Sequence, residues 1–322
     1  MDAKGLTLLV LLFACPSSQV SLEDCIAEKY FQFTKEHTAC VTKSNDATSS
    51  GVSEADQKLI VNKHNQLRAL QSATNMQKMV WDDEIASIAQ RWADNCDFNH
   101  DKYRTIPGRF SLGQNLALGY RLWDTAIQGW YDEVDVFTYG RESANVFSNV
   151  GHYTQIVWAS SSKIGCGYSY CSNLNADFYV CNYGPAGNFD WWIPYEAGTA
   201  CGACIDTCDD DKLCDCNGKV CENGGSLDLN TCECTCSQTW NIPGTCGLNC
   251  TAVEEPSSCK PGEFYDGKCF SWANVPDECP NMCNICPYSG VEFEKEDDSA
   301  AAVAYPELLM FLFISLQYLL IA

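Results

Sequence analysis

Gly151-His152-Tyr153-Thr154-Gln155-Ile156-Val157-Trp158 and Tyr179-Val180-Cys181-Asn182-Tyr183-Gly184-Pro185-Ala186-Gly187-Asn188-Phe189 are the two stretches that decide how this 322-residue chain is read. A histidine opening an otherwise aromatic and β-branched run is an unusual choice for plain packing. The second stretch reads as a strand entering a Pro-Gly turn. Upstream lie His64-Asn65-Gln66-Leu67-Arg68, Gly113-Gln114-Asn115-Leu116-Ala117 and Trp130-Tyr131-Asp132-Glu133. Ser53-Glu54-Ala55-Asp56 has the form of a capping box opening a helix with Ile60, Leu67 and Leu70 on one face and His64 nearby. A second helix starts at Asp82 or Asp83, where Ile85, Ile88, Ala89 and Trp92 recur at helical spacing, and a third carries Ile127, Trp130, Tyr131 and Val134. Strand-like runs follow at residues 154–158, 164–170 and 178–183.

Taken in order, these motifs resemble those of the CAP superfamily, which comprises the cysteine-rich secretory proteins, insect venom allergens and plant pathogenesis-related proteins. The resemblance covers residues 22–195, including an N-terminal extension similar to that of the venom allergens. Both the helix and strand pattern and the resemblance predict an α+β fold, an α-β-α sandwich, followed by small disulfide-stapled modules.

The cysteines divide the chain. Seven of the 23 precede Cys201, and sixteen crowd the stretch from there to Cys286, where aliphatic residues thin out. A region so poor in core residues needs disulfide staples and an oxidising compartment. The N-terminus agrees, since Lys4, an apolar run at 6–14 and small residues at 16–18 have the form of a signal peptide over 1–18. Cleavage there removes Cys15 and leaves an even cysteine count. Residues 287–307 are an acidic linker and anchor-site region, and 308–322 are almost wholly apolar. That run is shorter than the ~20 residues of a spanning helix and has no Lys or Arg after it. It matches a glycolipid-anchor signal with Asp298 or Ser299 as acceptor; a short single-pass span and a freely secreted chain are the alternatives. The expected location is extracellular, at the cell surface. A net charge of −22 argues against nucleic acid as a partner, because phosphate binding needs clustered Lys and Arg.

Residues 196–215 resemble the hinge of cysteine-rich secretory proteins, 216–246 an EGF-like module, and 250–286 a small toxin-like (ShKT) module. Spacing alone leaves connectivity open. The resemblance implies Cys25 with Cys40, Cys96 with Cys171, Cys166 with Cys181, Cys201 with Cys208 and Cys204 with Cys214. By analogy, it also pairs Cys236 with Cys246 and Cys250 with Cys286. Asn249-Cys250-Thr251 is the one glycosylation sequon.

In the CAP family two histidines and two acidic side chains meet in a surface cleft, and the resemblance places them at His64, Gln114, Glu133 and His152. Glutamine stands where one carboxylate is expected. His64, Glu133 and His152 would be the donor set for Zn²⁺ or a similar divalent ion, with other positions left to water. The same groups can also satisfy one another as a hydrogen-bonded tie without any metal. His100 matches a family position outside these four and reads as structural. Gly-x-Ser-x-Gly and His-Glu-x-x-His motifs are absent, and even cysteine parity leaves no thiol nucleophile. The expected function is therefore a non-enzymatic protein that requires no cofactor and binds an extracellular protein or lipid ligand. Its rival is a secreted metal-dependent or serine-assisted peptidase working in the cleft.

Overall fold

The computed structural model describes residues 20–286 except 271 and 273. The expected signal peptide, the expected anchor-site region with Asp298 and Ser299, and the apolar run 308–322 lie outside the described residues. In chain order the first unit consists of α1 (Glu28–Phe33), β1 (Ala47–Ser50), α2 (Glu54–Ala69), β2 (Val80–Trp81), α3 (Asp83–Asn95) and β3 (Gly113–Leu118), then α4 (Trp123–Tyr131), α5 (Phe147–Ile156), β4 (Lys163–Cys171) and β5 (Ala176–Gly184). The strands form one sheet in the order β1-β4-β5-β3, with β2 pairing parallel to β4. The β4–β5 hairpin at its centre is antiparallel, as are β3 on β5 and β1 on β4.

Helices cover both faces, so the fold is the α+β sandwich. Strand alternation sends Leu116, Phe178 and Val180 to one face, against Ala89 and Ala93 of α3. Gly165 and Gly167 let α3 lie directly on the strands, because a Cβ at either position would strike the backbone of Ala86 or Gln90. On the opposite face Tyr179, Cys181 and Tyr183 meet Ile60 and Leu67 of α2, Ile127 and Trp130 of α4, and Tyr153 and Ile156 of α5. Burying each such large side chain contributes roughly 1.5–3 kcal/mol. Both predicted helix starts are capped: Ser53 Oγ accepts from the N–H of Asp56, and Asp82 accepts from that of Ile85.

The run 154–158 differs from expectation. It is not a strand: residues 154–156 close α5, and 157–158 leave it. β-Branched residues favour strands only weakly, and Val150, Tyr153, Thr154 and Ile156 are spaced to bury one side of a helix against the sheet and α4. Val134 falls just past α4, in the single turn Asp132–Val136.

Beyond Tyr195 regular structure is sparse: β6 (Ser226–Asp228) pairs with β7 (Glu233–Thr235), and α6 (Val275–Glu278) is one turn. Disulfides take over. Cys201–Cys208 and Cys204–Cys214 are followed by Cys216–Cys232, Cys221–Cys234 and Cys236–Cys246. The last three are Cys250–Cys286, Cys259–Cys279 and Cys269–Cys283. In the first unit the pairs are Cys25–Cys40, Cys96–Cys171 and Cys166–Cys181. An ion-pair cluster ties the parts together, with Arg109 bound to Asp82, Glu84 and Glu222 and Lys29 bound to Glu84. Asn223 seals the same junction by donating to the carbonyls of Gly108 and Cys246.

Candidate functional site

Glu133 follows α4 in its short turn and reaches the middle of α5. One carboxylate oxygen accepts from the N–H groups of His152 and Tyr153 at 2.8 and 3.0 Å. The other accepts from His152 Nδ1 at 2.7 Å. Three donors fix this carboxylate, and the carboxylate in turn fixes the imidazole. Nδ1 then carries the proton in the neutral ring, which leaves the Nε2 lone pair unshared. The side chain of His152 is about one-third exposed, and its ring stacks on Trp130.

A second imidazole is arranged the same way. Gln114, on the edge strand β3, accepts through Oε1 from the N–H of Asp101 at 3.1 Å and from His100 Nδ1 at 3.0 Å. Its Nε2 donates to Asn182 Oδ1 across the sheet at 3.0 Å. The backbone donor of Asp101 fixes the orientation of the amide, so His100 Nδ1 must donate and its Nε2 stays open. Burial lowers the pKa of His100, as do the charges of Arg104 and His152, while the bond to Gln114 works against them. The two imidazoles thus lie within each other's electrostatic reach.

His64 does not belong to this group, which corrects the predicted ligand set. Its ring is fully buried in the core beneath α2. Nδ1 donates to the carbonyl of Ile60 at 2.8 Å, and Nε2 accepts from the Tyr183 hydroxyl at 3.0 Å. Both nitrogens are spent. Tyr183 directly follows Asn182 in β5, so its side chain leaves the sheet on the face opposite Gln114. Burial holds His64 down at about 4, aided by Arg68 and opposed by the bond to Ile60, so it is neutral at ordinary pH. Asn115 links the two settings by donating to both the Tyr183 hydroxyl and the His152 carbonyl.

The structure thus presents two imidazole pairs, His100 with Gln114 and His152 with Glu133. Sequence reasoning set His100 aside, although a signal was available. It stands in a polar loop just after α3, whereas His64 sits four residues after Ile60 and three before Leu67, on the apolar face of its helix. Among the described residues no three His, Cys, Asp or Glu side chains are grouped to hold a metal ion, so a cation here would rest on two imidazoles and water. Nor does any Ser, Thr or Cys side chain among the described residues hydrogen-bond to His152 Nε2. Asn249 is exposed, with its Oδ1 accepting from Thr251.

A family model, CAP: Cysteine-rich secretory protein family, matches residues 61–183. A cysteine-rich venom protein of Conus textile is 35% identical over 290 residues, spanning 80% of this chain and 89% of the relative. The cysteine-rich venom protein Mr30 of Conus marmoreus is 33% identical over 273 residues, 80% of this chain and 90% of the relative. Human cysteine-rich secretory protein 3 is 43% identical over 162 residues, 48% of this chain and 66% of the relative. The chain belongs to the CAP family of cysteine-rich secretory proteins. Among the described residues no helix is long and apolar enough to cross a membrane.

Proposed function

We propose that this is a non-enzymatic extracellular binding protein whose CAP domain carries a weak divalent-cation site on His100 and His152. The observation that carries the reading is the matched pair of imidazoles. Each has Nδ1 bound to an outer acceptor, Glu133 or Gln114, and Nε2 free, which is how a metal-binding histidine is oriented. The neutral amide of Gln114 stands where a second carboxylate would add charge and a base, and the Glu133 carboxylate is already engaged by three donors, which disfavours hydrolysis. The residues after 195 act as recognition and spacer modules. Their disulfide order supports an EGF-like reading for 216–246, with first to third, second to fourth and fifth to sixth. For 250–286 the order first to sixth, second to fourth and third to fifth supports the toxin-like reading. The partner is an extracellular protein or lipid, and a glycolipid at Asp298 or Ser299 holds the chain at the cell surface. Phosphatidylinositol-specific phospholipase should release the intact protein from cells, and the released protein should leave a broad peptide library uncut with or without zinc. Cleavage of the library, lost in Glu133→Gln, would overturn the binding reading; resistance to the phospholipase would overturn the anchor alone.

A further inference from the structure

A cavity of about 230 Å³ lies where four segments meet: the loop before β3, the loop after β5, the turn after Cys221 and the start of α6. Ile106, Phe110 and Phe189 give it apolar walls, Thr105 and Ser111 border it with the Thr105 hydroxyl donating to that of Ser111, and Asp277 supplies the carboxyl group. That carboxyl has no hydrogen-bond or ion-pair partner among the described residues. The cations close by are already matched. Arg109 engages Asp82, Glu84 and Glu222, Lys29 engages Glu84, and Lys163 engages Asp82, three positive charges against three negative. Asp277 and its neighbour Glu278 then add negative charge that none of these ion pairs opposes. Burying a carboxylate without a partner is unfavourable, so the site stands to gain from a cation that enters the cavity.

We propose that this junction cavity binds a small organic cation, a primary ammonium on a compact apolar body. The ammonium has three N–H donors, one for the Asp277 carboxylate and others for the hydroxyls of Thr105 and Ser111, while the body packs on Ile106, Phe110 and Phe189. A bare metal ion is disfavoured because Asp277 is the one carboxylate that borders the space. Burial first, and then the like charge of Glu278, raise the pKa of Asp277 to about 7. Glu278 on its own helix and Arg109 and Glu222 from the facing segments are the other charged groups at the junction, and the latter two are bonded to each other. Ligand binding is therefore linked to loss of the Asp277 proton and weakens in acid.

Calorimetry on the intact protein with benzylamine as probe and benzyl alcohol as its neutral counterpart tests this directly. At pH 8 benzylamine should bind about tenfold or more tightly than the alcohol, and Asp277→Asn should remove that advantage. In the unaltered protein benzylamine affinity should fall about tenfold or more between pH 8 and pH 5.5, because the amine stays charged while the carboxyl becomes neutral. This second arm needs no variant. Absence of benzylamine binding at pH 8, equal affinity for amine and alcohol, or an affinity unchanged by pH would each overturn the proposal.

Discussion

His64 and His152 both come from motif segments of the same sandwich, yet they occupy opposite kinds of setting. His64 is enclosed by α2 and Tyr183 with both nitrogens bonded, and burial keeps it neutral. His152 has one nitrogen bonded to Glu133, and its ring is partly open. The difference teaches that a motif histidine is functional or structural according to how many of its nitrogens the fold consumes. His100 falls with His152 on this criterion, through Gln114 rather than a carboxylate.

The largest effect that would probe this contrast lies on the enclosed side. Arg68, one turn beyond His64, is fully buried with no carboxylate partner among the described residues, and its guanidinium donates to the carbonyls of Gln77, Ile156, Trp158, Ala159 and Ser161. Burial lowers its pKa to about 9, and the oriented carbonyls stand in for a counter-ion. Arg68→Met would leave several of those oxygens unsatisfied and should cost about 4 kcal/mol or more in chemical denaturation. Stability within about 1 kcal/mol of the unaltered protein would show that the enclosed region is not held by this residue.

A smaller effect concerns pH. The folded pKa of His64 lies near 4 and the unfolded value near 6.5, so the unfolded chain binds the extra proton first. The stability due to neutral His64 is fully present above about pH 6.5 and is lost as pH falls toward 4, by at most about 3 kcal/mol. His37, buried between Thr105 and Ala39 and also held near 4, adds a term of the same sign. His64→Gln should lower stability at pH 7 yet flatten its fall between pH 6.5 and 4, measured by denaturation at each pH. An unchanged slope would mean that His64 gains a proton without disturbing its surroundings.

Smaller still is the substitution Gln114→Glu. Asn182 Nδ2 is buried without an acceptor among the described residues, and rotating that amide would let it donate to the new carboxylate while the other oxygen keeps His100 and Asp101. The added charge should tighten cation binding severalfold at neutral pH even at an effective dielectric of about 20. An unchanged affinity in zinc calorimetry would place Gln114 outside the site.

Much of this contrast was legible in the sequence, for specific reasons. The amphipathic spacing of Ile85, Ile88, Ala89 and Trp92 and the caps at Ser53 and Asp82 are local signals, and α2 and α3 begin where those signals stand. Residues 154–156 misled because their β-branched character says strand, while the choice of helix is made by burial against α4 and the sheet, which a linear reading cannot see. Glu133 and His152 could be linked through motif order. His100 could not be ranked above His64 by residue type, since the two differ in how many ring nitrogens the fold binds. That is fixed by the register of Gln114 opposite Asn182, with Tyr183 one residue further on. The junction cavity was invisible for the same reason: Thr105, Gly224 and Asp277 are far apart in the chain.

Zinc binding measured by calorimetry at pH 7.5 on three folded proteins tests the assignment of the two histidine settings most directly. Weak binding is expected for the unaltered protein, with binding retained in His64→Gln and abolished in the double variant His100→Ala, His152→Ala. Retention of zinc by the double variant, or its loss in His64→Gln with the fold intact by circular dichroism, would contradict the account.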